Sequence, residues 1–262
     1  MTNEESKKKS LLDRIDSALT SNSRWLIALF AGSFLLKLIY VIQSADALRV
    51  TVPIMDSEYY YNMATDILGG RIIRNEAFFM GPLYPYVLAV LFGIFGKSIA
   101  IVRIIQILGG AVAVLLTYLV GRKVLRPSVA LLGAVLLAFY GAITFYEGQL
   151  LMMWLGTVLN MTALLALYHW KDRPGLGKYV LVGVLIGLSA LARANILVFL
   201  VVVVVWIAFV SGERRRLPSV GILLISVIVT ILPANIHNYL ADRDFVPITS
   251  NGGVNFYVGN SE

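Results

Sequence analysis

The chain has 262 residues, of which 58% are hydrophobic and 14% charged; its mean hydropathy is +0.80 and its formal net charge +7. Such values lie outside the soluble globular range and imply a polytopic helical membrane protein. The absence of cysteine excludes disulfides, thiolate metal sites and cysteine nucleophiles, and the cations fall in short clusters between apolar runs, a pattern that orients spans rather than binding nucleic acid.

Residues 1–24 are polar and read as a cytoplasmic segment. Within them 10–20 (SLLDRIDSALT) carry apolar positions at helical spacing, suited to a short helix on the membrane surface. Apolar runs follow at 25–43, 82–96, 99–120, 129–146, 150–169, 179–192, 196–210 and 219–235. No A-x-A-like cleavage site follows the first run, which reads as a retained anchor; Lys37 inside it either snorkels or pairs within the bundle. The stretch after it, MDSEYYYNMATDILGG at 55–70, predicts a short helix over 56–68, capped by Asp56 or Ser57 and stopped by Gly69. Tyr60, Met63 and Ile67 would share its inner face. Two readings of Asp56 stand: a helix cap, or an acid partly desolvated among aromatics, its pKa raised toward that of a base.

The segment GPLYPYVLAVLFGIFGKS starts on Pro82 and Pro85 and ends at Gly93 and Gly96 after about three turns, too few to cross. Charge supports placing it in the outer interface. If all eight runs cross, Lys and Arg divide nine inside to twelve outside; with 82–96 interfacial they divide fourteen to seven, as the positive-inside rule prefers. The fourteen include Lys7, Lys8, Lys9, Arg122, Lys123, Arg126, Lys171 and Arg173; the seven are Arg49, Arg71, Arg74, Lys97, Arg103, Arg193 and Arg243. The expected fold is therefore all-α, with about seven transmembrane helices over 25–235. A large first outer loop at 44–98 carries short interfacial helices, and residues 236–262 form a further outer loop.

Glu147, in FYEGQLLMM, falls at a tight outer turn. It is either a solvated acid or a second carboxylate beside Asp56, the two able to bind a divalent cation or orient a nucleophile. Arg193, in GLSALARANILVF, either snorkels or meets an anion. Arg71, Arg74, Lys97 and Arg103 share that side and are further candidates for a lipid phosphate. His169 and His237 fall on opposite sides of the membrane and form no paired metal site. Asn160-Met161-Thr162 matches a glycosylation triplet but lies mid-span.

The ordered series MDSEYYYNMATDILGG, then FMGPLYPYVLAVLFGIFGKSIAIVRIIQILGGAVAVLLTYLVGRKVL, resembles the GT-C class of integral-membrane glycosyltransferases. Its nearest likeness is the bacterial branch similar to protein mannosyltransferases (glycosyltransferase family 39) and the aminoarabinose transferase. The resemblance covers roughly 25–260 and implies transfer of a sugar from a polyprenyl-phosphate donor to a protein, lipid or glycan acceptor. That transfer is expected on the outer face of the plasma (inner) membrane, with the N-terminus cytoplasmic. It implies that Asp56 is the catalytic acid/base or a metal-binding carboxylate, with magnesium or manganese as the possible cation. Glu147 matches the acid of the next outer loop, and Arg193 the arginine after the short span, although Ala194 stands where proline is common. The tail NGGVNFYVGN resembles a loop of the bacterial branch, and in NIHNY (235–239) His237 stands where an arginine is usual. Family enzymes continue through more spans, so the chain is expected to be an N-terminal fragment.

On this reading an acceptor deprotonated by or oriented on Asp56 attacks the anomeric carbon with inversion, outer arginines receive the phosphate, and Tyr59, Tyr60 and His237 line the substrate. The tyrosines suit either sugar stacking or interface anchoring. The rivals are a transporter or flippase of lipid-linked intermediates and a non-catalytic scaffold. A transporter would place polar groups mid-membrane with repeat symmetry, whereas here they gather on one face without a repeat; a scaffold would need neither Asp56 nor Glu147.

Overall fold

The computed structural model describes residues 11–47, 52–169, 175–212 and 214–260; Lys7, Lys8, Lys9, Arg49, Lys171 and Arg173 lie outside them. The described residues contain helices and no strand. Helices suit so apolar a chain, because each satisfies its own backbone N–H and C=O groups without water. They are α1 (Leu11–Ser21), α2 (Arg24–Gln43), α3 (Asp56–Leu68), α4 (Leu83–Phe95), α5 (Ile99–Val124), α6 (Pro127–Ala138), α7 (Gly141–Glu147), α8 (Met153–His169), α9 (Gly177–Ala192), α10 (Leu197–Val205), α11 (Arg216–Asp242) and α12 (Asn251–Asn260).

Three of these, α2, α5 and α11, are long and apolar enough to cross a membrane; α6 and α7 together make a fourth, bent by 56°. The run expected as one span at 129–146 is thus broken at Phe139 and Tyr140. The run at 196–210 is also not one regular helix: a 3-10 turn (Ala194–Ile196) precedes α10 and a π-helical turn (Trp206–Val210) follows it. By length and composition the expected seven spans come to three, or four with the bent pair, because α8 and α9 have only 17 and 16 residues. The short α4 is as expected: Pro82 precedes it, Gly96 ends it at φ 74°, and its 13 residues rise only about 20 Å.

Small residues bring the helices together. In the GxxxG pair of α9, a Cβ on Gly183 would stand 2.6 Å from the Ser226 Cβ, and one on Gly187 2.6 Å from the Thr230 Cβ, so α9 and α11 pack nearly backbone to backbone. Around this contact Tyr179, Val182, Ile186, Val203, Ile207, Leu223 and Val227 form one core. A second core, of Tyr60, Ala64, Tyr84, Leu88, Phe92, Val102 and Leu150, seats α3 and α4 on α5 and on the turn after α7. At the opposite end of α5, α1 is docked by Arg126. Its Nη2 pairs with Asp13 at 2.5 Å and its Nε with Asp16 at 2.8 Å, while Ser128 N–H donates to Asp16 at 2.7 Å. A helix is therefore present where one was expected over 10–20.

Two further expectations are corrected. The last apolar run does not end at 235: α11 continues to Asp242, so 236–242 is helix rather than outer loop. Residues 251–260 of the tail form α12, which has no buried residue.

Candidate site at the α3–α9 junction

Helix α3 begins immediately after Met55, a non-glycine residue at φ 53°, and no side chain caps it. The cap reading of Asp56 and Ser57 is overturned: Asp56 is the first helical residue, exposed to solvent, with its charge at the helix's positive end. Its exposure also replaces the expected desolvation. One turn on, Tyr60 is 1% exposed, set edge-on against Tyr59 (5.6 Å) and Tyr84 (5.0 Å), and its hydroxyl reaches Met152 Sδ at 3.5 Å. Burial chiefly, then the Asp56 carboxylate and Tyr59, push the Tyr60 phenol up, while Arg193 pulls it down. Met152, against Tyr60, and Met153, against Arg193, are neighbours in the chain and bring α3 and the end of α9 to one corner. Tyr60 is too buried to stack on a sugar. Tyr59 is half-buried, its hydroxyl accepting from Met80 N–H at 3.5 Å and its ring edge-on to Phe79.

Arg193 terminates α9 in extended backbone, its N–H donating to Ser189 O at 2.8 Å; its side chain is exposed, with Nη1 3.8 Å from Met153 Sδ. Gly81 fixes this corner. A Cβ there would collide with the Ala192 carbonyl and stand 2.7 Å from Leu191 O, so only glycine lets the loop before α4 lie against the end of α9.

Glu147 is not a surface acid. It is 2% exposed, and its Oε2 lies 2.5 Å from the Nζ of Lys37, itself 1% exposed and 3.3 Å from Thr144 Oγ1. Lys37 thus pairs within the bundle rather than snorkelling. Gly110 makes room for the pair, since a Cβ there would come within 2.5 Å of the Glu147 Cδ. Arg103 is likewise no free cation: it is 3% exposed, with Nε donating to Gly148 O at 2.9 Å and Nη2 to Ser44 Oγ at 2.6 Å. The amide of Gln106 donates to Glu147 O (2.7 Å) and Gln149 O (2.6 Å) and accepts from Tyr84. Lys37, Arg103 and Gln106 thereby hold the turn that presents Met152 to Tyr60 and Met153 to Arg193. Arg71 is exposed and paired with Asp66; Lys97 is exposed in the turn before α5.

Arg74 and His237 meet elsewhere on the same face. The Arg74 N–H donates to His237 Nε2 at 3.2 Å, and the imidazole stacks on Phe78 at 4.1 Å. Both line an otherwise mostly apolar cavity of about 720 Å³, with Leu191, Pro233 and Leu240 among its walls. Beside His237, the fully buried Asn238 accepts from Phe78 N–H (3.0 Å) and donates to Val246 O (3.0 Å) and Ile248 O (3.1 Å). Neither Asn238 nor Gln106 was singled out from sequence. The available signal was a polar residue continuing in helical register, at NIHNY and at RIIQ.

Among the described residues no three His, Cys, Asp or Glu side chains converge as a metal site, and Glu147 is buried against Lys37 rather than offered to a cation beside Asp56. The residues present do not fit the Asp56–Glu147 cation site expected from sequence.

Residues 80–237 match the model of the dolichyl-phosphate-mannose-protein mannosyltransferase family. The fold is similar to that of the Archaeoglobus fulgidus oligosaccharyltransferase, whose crystal structure holds a tethered acceptor peptide containing the NVT sequon. The TM-score is 0.61 at 16% identity, over 88% of this chain and 32% of that one, so the present chain spans about a third of that protein. No curated protein matches the chain.

Proposed function

The chain belongs to the dolichyl-phosphate-mannose-protein mannosyltransferase family, and from that premise we propose that it moves a sugar from a polyprenyl-phosphate donor to an acceptor hydroxyl or amine on the non-cytoplasmic face of the membrane. The observation that carries this reading is that Tyr60, one turn after Asp56, reaches Met152 Sδ while Arg193 reaches the adjacent Met153 Sδ, which brings the start of α3 and the end of α9, from opposite halves of the chain, to one corner. An exposed carboxylate and an exposed guanidinium at one corner can receive, respectively, a proton and a departing phosphate.

In the proposed transfer the acceptor gives its proton to Asp56 and forms a bond to the anomeric carbon as the bond from that carbon to the phosphate oxygen breaks, with inversion. Arg193 meets the charge that develops on the phosphate with paired N–H donors. Phosphate leaves readily, so no second carboxylic acid is required to protonate it, unlike glycoside hydrolysis. The transfer is written on Asp56 without a bridging cation, because Glu147 is committed to Lys37. Arg74, near the mouth of the apolar cavity, is the second candidate for the lipid phosphate; Arg103 and Arg71 are occupied.

The sidedness follows from the charge. The site lies at the end of α5 that begins with Ile99, whereas Arg122, Lys123 and Arg126 gather at the other end with α1. Under the positive-inside rule that second end is cytoplasmic. Seven segments cross, α8, α9 and the α10 segment spanning where the bilayer thins to match their short length.

Asp56→Asn tests the reading. Asp56 makes no capping bond, so the fold should be unaffected, while sugar transfer from an undecaprenyl-phosphate donor should fall by about 10²–10⁴-fold. Transfer at the wild-type rate would remove Asp56 from the chemistry.

A further inference from the structure

Beneath Arg193 lies a small pocket that the reaction above leaves unused. Its volume is about 160 Å³, and its polar lining comes from Thr157 and Asn160 of α8, Ser189 of α9, and Arg193 and Asn195. Ser189 lies one helical turn below Arg193, and Asn160 lies roughly 10 Å along α8 from its first residue. The Ser189 hydroxyl donates to Asn160 Oδ1 at 2.6 Å, which fixes the orientation of that amide and leaves its two N–H donors without a protein partner among the described residues. Thr157 donates to Met153 O at 2.9 Å, so its oxygen lone pairs remain available. Among the described lining residues Arg193 is the charged one; no carboxylate faces the space.

We infer that this pocket holds the sugar ring of the donor and that Asn160 and Ser189 select it by its hydroxyls; the inference rests on the prenyl-phosphate-sugar reading above. Three features of the pocket lead there. Its volume of about 160 Å³ is on the scale of one hexose ring and leaves no room for a longer glycan. Its chemistry is neutral and mixed, with N–H donors from Asn160 and lone pairs from Thr157 and Ser189, which suits hydroxyl groups that both donate and accept. Its mouth carries the cation proposed for the phosphate, whereas Asp56 is absent from its walls, so its occupant is on the donor side rather than the acceptor side. The backbone from Leu191 to Arg193 separates it from the large apolar cavity, which Leu191 lines on the other side. An amphiphile with an apolar chain, an anionic junction and one hydroxylated ring matches that division.

The test is equilibrium binding of bare undecaprenyl phosphate and of undecaprenyl-phosphate hexoses differing at single hydroxyls, with the full chain in nanodiscs. Asn160→Leu keeps the branched shape and heavy-atom count of the side chain and removes the amide; Ser189→Ala removes the hydroxyl that orients it. Each substitution should weaken the preferred hexose lipid about tenfold or more and flatten the preference among hexoses, while bare undecaprenyl phosphate binds as to the wild type. Equal weakening of bare and glycosylated lipids would overturn the assignment, because the residues would then serve the fold or the phosphate. An unchanged hexose preference in both variants would overturn it while leaving the transferase reading intact. A wild-type protein that binds bare and glycosylated lipids equally would overturn that reading as well.

Discussion

Removing the charge of Glu147 separates a structural acid from a catalytic one. Lys37 and Glu147 are 1% and 2% exposed, 2.5 Å apart, and joined across α2 and α7 with Thr144 as the one further polar contact of the ammonium. In such a setting each charge depends on the other. Deleting one partner leaves an uncompensated buried ion and costs about 3–5 kcal/mol, whereas replacing both by apolar groups of similar volume is often neutral. Glu147→Gln, which strands the Lys37 ammonium, should therefore lower the melting temperature in detergent or nanodiscs by on the order of 10 °C. Lys37→Met, which strands the carboxylate, should do the same. The double variant Lys37→Met/Glu147→Gln should lose less than the two single losses added together, with a coupling energy of about 1–3 kcal/mol in a double-mutant cycle. Transfer activity should track the folded fraction in all three. If Glu147→Gln melted with the wild type yet had lost transfer, or if the two single losses simply added, the structural assignment would be refuted.

Three other outcomes follow from particular contacts. Gly81→Ala drives a methyl into the Ala192 carbonyl, which should cost about 1–3 kcal/mol; by moving Arg193 it should also lower turnover by up to about 10²-fold, and wild-type stability together with wild-type turnover would show that the approach is looser. Burial raises the Asp16 carboxyl, but the Ser128 N–H and Arg126 outweigh it and hold the group below its ordinary value of 3.8. A lowered folded pKa contributes stability above the unfolded value and loses it as pH falls through the folded one, so hydrogen exchange in α1 should stay low near neutrality and rise only as pH falls below 3.8; protection that persists in acid would mean apolar contacts suffice. For topology, Lys97 and Lys123 are exposed at opposite ends of the bundle, and the chain has no native cysteine. Lys97→Cys should label from the outer side and Lys123→Cys from the cytoplasmic side, and the reverse pattern would invert the proposed orientation.

What could be read from sequence was whatever is written in local punctuation. α3 stops at Gly69 and α4 sits between Pro82 and Gly96 because those residues act through their own backbone. Tyr60 and Met63 share a buried face because helical periodicity places them there. Partnerships across the chain were not legible. Lys37 and Glu147 each stood out as polar residues among apolar ones, yet only the crossing of α2 and α7 shows that they neutralise each other. Arg103 looked like one more outer cation until packing turned it toward Gly148 and Ser44. The bend after Ala138 was hidden because Phe139 and Tyr140 are as apolar as the helices they separate. Asn160 reads from sequence only as part of a mid-span glycosylation triplet, because its pairing with Ser189 depends on the close approach of α8 and α9.

The hydrogen bonds from the loop before α4 to His237 and Asn238 join residues 163 and 160 positions apart, and that separation sets a timetable for biogenesis. At about 5–20 residues per second, synthesis leaves roughly 10–30 s between emergence of the loop at Arg74–Phe78 and arrival of the helix that secures it. The loop between α3 and α4 must wait through that interval without these two hydrogen bonds. Membrane-insertion factors and proteases therefore meet this loop before α11 has arrived to hold it, an interval in which quality control can act.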